Sequence, residues 1–281
     1  MQYSNPKIPE GINTSKINPL KEFIVLAGGI IVTTIVVLGF LIMLVDFFAD
    51  KIPFSWEQSI PVSKIVGESE AQATPAYLQN LTQNIVQQMD LPEGMDITLH
   101  YMNDDAVNAF ATLSGHIFLF KGLLLKTKSE DELSMVIAHE IAHVKYRHPI
   151  RSLSHGVVVG LALTLIGSSS SDSAGSLLGG SSMLTALHFS RDYEYKSDQA
   201  AVNTLIKMYG HAQGAIDLFV LFKQELQSSE PVELFNTHPL TENRISQVSK
   251  IVKQSSINGN KVLTPLPKEF TRWLKEIPNK D

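Results

Sequence analysis

SEDELSMVIAHEIAHVKY, residues Ser129 to Tyr146, is the stretch on which the reading of this 281-residue chain turns. Three acidic residues open it and apolar residues dominate the remainder, which predicts a long apolar-faced helix from Ser129 to about Tyr146, closed by Pro149. On a helix, positions i and i+4 lie about 40° apart around the axis and ~6 Å along it. The imidazoles of His139 and His143 can therefore reach one ion. Glu140 stands between them, where it can take a proton from an activated water. Val136, Ile137, Ala138, Ile141 and Ala142 surround the pair with apolar positions. Two unpaired histidines there would cost on the order of a few kcal/mol, so the pattern asks for a shared partner.

A metal site needs a third protein ligand, and the chain has no cysteine, so His, Asp and Glu must supply it. An arrangement with Gly at 146 and His at 149 is excluded by Tyr146 and Pro149. His148 reads as a surface histidine at the helix end. The segment SRDYEYKSD, Ser190 to Asp198, places Glu194 and Asp198 at i and i+4. Glu194 could bind zinc directly while Asp198 orients a ligand histidine through its free ring N–H. Taken alone, the same string reads as a solvated charged helix face.

Upstream, the 23 residues from Phe23 to Val45 carry no charge, and at ~1.5 Å each they match a hydrocarbon core of ~30 Å. Asp46-Phe47-Phe48-Ala49-Asp50 comes next, a poor signal-cleavage site, so an uncleaved anchor is expected. Lys7, Lys16 and Lys21 precede it, which places the N-terminus in the cytoplasm and the large domain outside; were the cell Gram-negative, that side would be the periplasm. A net charge of −5 and a pI near 6.0 give no basic footprint, so no nucleic-acid partner is expected. The expected organisation is a tail (1–22), a transmembrane helix (23–48), a linker (49–74), a catalytic domain (75–255) and a C-terminal tail (256–281). Within the domain, the periodicity predicts a helix from Tyr77 to Met89 and strands at Asp96–Tyr101 and Gly115–Phe120. Gly156 to Gly167 is apolar but too short to cross a bilayer. With the Ser/Gly-rich Ser168–Ser182 it is expected to be a buried helix or a lid over the cleft.

From about Glu70 to Ser249 the sequence resembles the M48 metallopeptidases, a gluzincin family that includes periplasmic quality-control proteases. Four motifs carry the resemblance in order. They are Asn108-Ala109-Phe110-Ala111 with Gly115-His116-Ile117 and Gly122-Leu123-Leu124; His139 to His143; Ser190-Arg191 with Glu194 and Asp198, where Ser197 replaces the usual Ala; and Thr237-His238-Pro239 with Arg244-Ile245. The resemblance implies a mainly α zincin-like α+β domain with a small sheet, and one Zn2+ per chain held by His139, His143 and Glu194. It implies Glu140 as general base and His238 near the metal, either steadying an oxyanion or filling the open coordination position in a latent state. Asn108, Ala109 and Gly115 are the expected substrate contacts. An exposed edge of the Gly115–Phe120 strand would hold a polypeptide extended. Arg244 is expected to be a structural salt-bridge partner. The function expected is a membrane-anchored zinc endopeptidase for unfolded or misassembled envelope proteins. The alternatives are a non-catalytic chaperone or binding module on the same fold, or a protease for lipidated peptides.

Overall fold

The computed structural model describes residues 18–59, 71–165, 189–226, 232–255 and 262–278. Helix α1 (Pro19–Ala49) begins at an Asn18 cap, and none of its apolar window is buried within the protein. After a short α2 (Phe54–Glu57), strand β1 (Ala71–Gln72) leads into α3 (Ala76–Gln88). Three strands come next, β2 (Thr98–Met102), β3 (Ala109–Ala111) and β4 (His116–Phe120), and then α4 (Lys121–Lys126). The metal-motif helix is α5 (Glu130–Lys145), and α6 (His148–Leu165) comes directly after it. The rest is α7 (Arg191–Tyr209), α8 (Gln213–Leu226), α9 (Leu234–Thr237), α10 (Glu242–Gln254) and α11 (Lys268–Glu276). The fold is thus mainly helical with one small sheet behind an N-terminal apolar helix.

The sheet order is β1-β2-β4-β3, with β2 parallel to β4 and β3 antiparallel to it. Because side chains alternate along a strand, Leu99, Tyr101, Ile117 and Leu119 enter the main core, while His100, Met102, Phe118 and Phe120 share the other face. Helix α5 lies in the centre of that core, with its Ile137, Ala138, Ile141 and Ala142 fully buried. Its start is fixed by Ser129 Oγ, which accepts from the Glu132 amide at 3.2 Å.

Four expectations need correction. Gly115–Phe120 is no edge: β4 is interior, paired in parallel with β2 on one side and antiparallel with β3 on the other. The edge on that side is β3, and its three residues are buried. Residues 50–59 are not a loose linker. Arg147, in the left-handed region at φ +62°, donates to the Ile52 carbonyl at 2.8 Å and pairs with buried Glu57 at 2.8 Å. Glu57 in turn accepts the Ser114 amide at 3.0 Å.

Nor are residues 262–278 a tail. Phe270 and Leu274 of α11 are core residues, and the Thr264 amide donates to Asp131 Oδ2 at 2.8 Å. Finally, the apolar run after Gly156 lies along α1, where Ser154 and Val158 face Leu41, Leu44 and Val45, and not over the cleft. The remainder of the expected lid, 166–182, lies outside the described residues.

Candidate active site

Three helices and one short loop build the site. Helix α5 contributes His139, Glu140 and His143; α7, capped by Ser190 Oγ on the Tyr193 amide, contributes Glu194 and Asp198. His238 comes just after α9, and Arg244 stands in the first turn of α10, whose cap is Thr241. His139, Glu140, His143, Glu194, Asp198, His238 and Arg244 are all buried.

One ligand atom each from His139, His143, Glu194 and His238 lies within 4.8 Å of the others. His139 Nε2 is 3.0 Å from His143 Nε2 and 3.5 Å from Glu194 Oε2, and His143 Nε2 is 3.3 Å from Glu194 Oε1. His238 Nδ1 is 3.4 Å from His139 Nε2 and 3.0 Å from Glu194 Oε1. Four donors held tetrahedrally at ~2.0–2.1 Å from an ion would stand about 3.3–3.4 Å apart, so this donor set fits zinc in both chemistry and spacing. Opposite the cluster, His238 Nε2 is 3.6 Å from Glu140 Oε1. Glu140 Oε2 and His238 Nε2 are buried without a hydrogen-bond partner among the described residues.

A second tier of side chains holds the first. Asp198 Oδ1 lies 2.9 Å from His139 Nδ1. Arg244 grips Asp198 with two bonds, Nε to Oδ2 at 2.7 Å and Nη2 to Oδ1 at 2.8 Å, and its Nη1 is 2.6 Å from Glu194 Oε2. Such a planar fork suits two carboxylates at once. Burial favours the neutral His139 ring, but Asp198 and Glu194 outweigh it and raise its pKa to about 10. For His143 burial wins, lowering it to about 3.

His148 is 2% exposed, which corrects the surface reading. Its Nδ1 is 3.1 Å from His143 Nδ1, and its ring stacks on Tyr193 at 4.1 Å. Phe189 covers His143 from another side at 4.0 Å between ring centroids. The Arg244 contact with Glu194, the His148 bond and the Phe189 cover on His143 were all missed from sequence. The Thr237-His238-Pro239 and Arg244-Ile245 motif marked Arg244 as a salt-bridge partner without naming Glu194, and the five-residue step from His143 to His148 was the other signal.

The expected substrate contacts are dispersed. Ala109 lies in β3, beside α5. Asn108 donates to Glu233 Oε2 at 3.4 Å, tying that edge to the segment that carries His238. Gly115 is buried in the turn that leads into β4. It has φ +76°, and an added Cβ would come 1.9 Å from the Asp96 carbonyl oxygen, so a backbone turn explains the glycine. A cavity beside Glu140 and His238 is lined by Val136, Leu218, Phe219, Phe222 and Leu234.

The profile of peptidase family M48 matches residues 72–252. The chain belongs to peptidase family M48. Relatives agree with this. The beta-barrel assembly-enhancing protease of Escherichia coli K12 is 30% identical over 174 residues, covering 55% of this chain and 36% of that protein. A protease HtpX homolog of Pyrococcus abyssi is 26% identical over 82% of this chain and 89% of its own length. The mitochondrial metalloendopeptidase OMA1 of Schizosaccharomyces pombe is 27% identical over 57% of this chain and 48% of its own. This family member therefore spans well under half of the assembly-enhancing proteases it matches. M48 peptidases are metallopeptidases, and the four converging donors are where a metal could be held here.

Proposed function

We propose that this chain is a zinc-dependent endopeptidase anchored in a membrane by α1, with His139, His143 and Glu194 as metal ligands and Glu140 as general base. The observation that carries it is the convergence of four buried donor atoms within 4.8 Å, with a free carboxylate oxygen of Glu140 beside them. The ion, when bound, supplies Lewis-acid polarisation of the scissile carbonyl and a nucleophilic water near neutral pH. Glu140 takes the proton from the attacking water and returns it to the departing amine nitrogen. Asp198 and His148 hold the two ligand rings from behind, and Arg244 fixes Glu194. The apolar cavity next to Glu140 favours an apolar side chain beside the scissile bond. A non-catalytic binding module would leave the free Glu140 oxygen without a purpose.

His238 supports the latent alternative. Its Nδ1 stands among the donors as a fourth protein atom, whereas a working zinc site keeps one position open. The buried edge of β3 fits the same closed state. Withdrawal of the Thr237-His238-Pro239 segment would open both, because Asn108 and Glu233 link them.

The substrates we infer are unfolded or misassembled envelope polypeptides, met on the extracytoplasmic side. The name of the Escherichia coli relative points the same way. The test is Glu140→Gln, which should bind stoichiometric zinc yet hydrolyse casein at least about a hundredfold more slowly, since general-base catalysis supplies ~10²–10⁴. Glu194→Ala should instead lose the metal. Near-normal turnover in Glu140→Gln would sink the mechanism.

A further inference from the structure

Helix α6 leaves the catalytic centre and runs back along α1. At its start, Arg151 pairs with Asp50 at 2.7 Å and Asp46 at 3.5 Å. One turn later His155 Nε2 meets Asp46 at 3.0 Å, and then Ser154 and Val158 face Leu41, Leu44 and Val45. As α6 numbers rise, α1 numbers fall, so the two helices are antiparallel. Beyond His155 the helix continues to Leu165 without a charged residue. Those ten residues rise about 15 Å, which is half of a ~30 Å hydrocarbon core.

Asp46 is also the first charge after the apolar body of α1. The polar groups of both helices thus lie in one layer, Asp46, Asp50, Arg151 and His155, joined by the Tyr193 hydroxyl at 3.4 Å from Asp46. On the far side of that layer both helices present apolar surface. Val159 is 44% exposed, and Val37, Phe40 and Met43 are more so.

We propose that α6 is a half-depth membrane arm: Gly156–Leu165 lies in lipid beside α1, and the Asp46–Arg151–His155 layer sits at the bilayer surface. This rests on the reading of α1 as a membrane span. It sets where the chemistry occurs, because contacts run without a break from Asp46 through Tyr193 and His148 to His143. The catalytic centre is then held at the membrane surface, and its substrates are polypeptides lying there.

The chain lacks cysteine, so single cysteines report cleanly. Ile35→Cys, Val159→Cys and Val262→Cys are made in the full chain, reconstituted in phospholipid nanodiscs and treated with a charged maleimide. Val262, 65% exposed on the domain, is the reactive reference. Loss of labelling at both Ile35 and Val159 is expected. A nitroxide at Val159 should relax with oxygen and not with a water-soluble nickel chelate. Labelling at Val159 as fast as at Val262, with Ile35 still protected, overturns the arm alone. Protection at Val159 without oxygen access means a protein surface covers it, a second copy included, and also overturns the lipid assignment. Labelling at Ile35 brings down the span reading itself.

Discussion

His148 shows what one residue type can hide. With His143 Nε2 given to a metal, as proposed, its Nδ1 carries the proton and His148 Nδ1 accepts it. His148 can do so only as a neutral ring, and burial drives its pKa down. His148→Leu should then keep the fold but weaken zinc binding by about 10–100-fold, the usual cost of losing a partner behind a ligand. Competition with a chromophoric chelator measures this, and an unchanged affinity would make the contact incidental. The sequence pointed to the surface because a histidine before proline at a helix end is normally solvated. Arg147 at φ +62° defeats that reading by turning the chain so that a new helix starts at His148, with Pro149 in its first turn. For Glu194 and Asp198 the i,i+4 spacing puts both on one face of α7, but alone it also fits a solvated face, and the motif begun by Ser190-Arg191 singles them out.

At the level of elements, local signals served the helices better than the sheet. Ser129, the acidic turn and the apolar face specified α5 almost to the residue, and alternation specified β2. Alternation says nothing about neighbours, so the place of β4 between β2 and β3 was out of reach. Helix α11 was within reach: Pro267 caps it, and Phe270, Trp273 and Leu274 have helical spacing. The β2–β4 pairing has a measurable consequence in His100 and His116, whose ring nitrogens are 3.0 Å apart. Burial, and then the neighbouring His100, lower the His116 pKa from 6.5 to about 4. The unfolded chain therefore binds more protons between those values, so stability is full above pH 6.5 and falls as pH drops toward about 4. His116→Gln should flatten this part of the Tm–pH curve relative to the unsubstituted protein. Parallel curves across pH 4–6.5 would show that the pair carries no such linkage.

For the whole molecule, the uncharged run from Phe23 to Val45 made α1 plain, while α6 was obscured because its role depends on which helix it lies against. The three lysines ahead of the uncharged run predict that alkaline phosphatase fused after Asp281 is active in a bacterial host. An inactive phosphatase with an active cytoplasmic reporter at the same junction would reverse the orientation. The grip of Arg147 on Ile52 and Glu57 matters on this scale too. A free 26-residue tether over 49–74 would let the domain wander about 25–30 Å from its anchor. With α1 in the membrane as proposed, the clamp at Ile52 keeps the centre at one height above the surface. Encounter then becomes a search in two dimensions, and a substrate confined to the same sheet of lipid gains effective concentration that a soluble chain does not. Dissolving the bilayer in detergent removes that advantage, so an assay in micelles would report the chemistry and erase the preference.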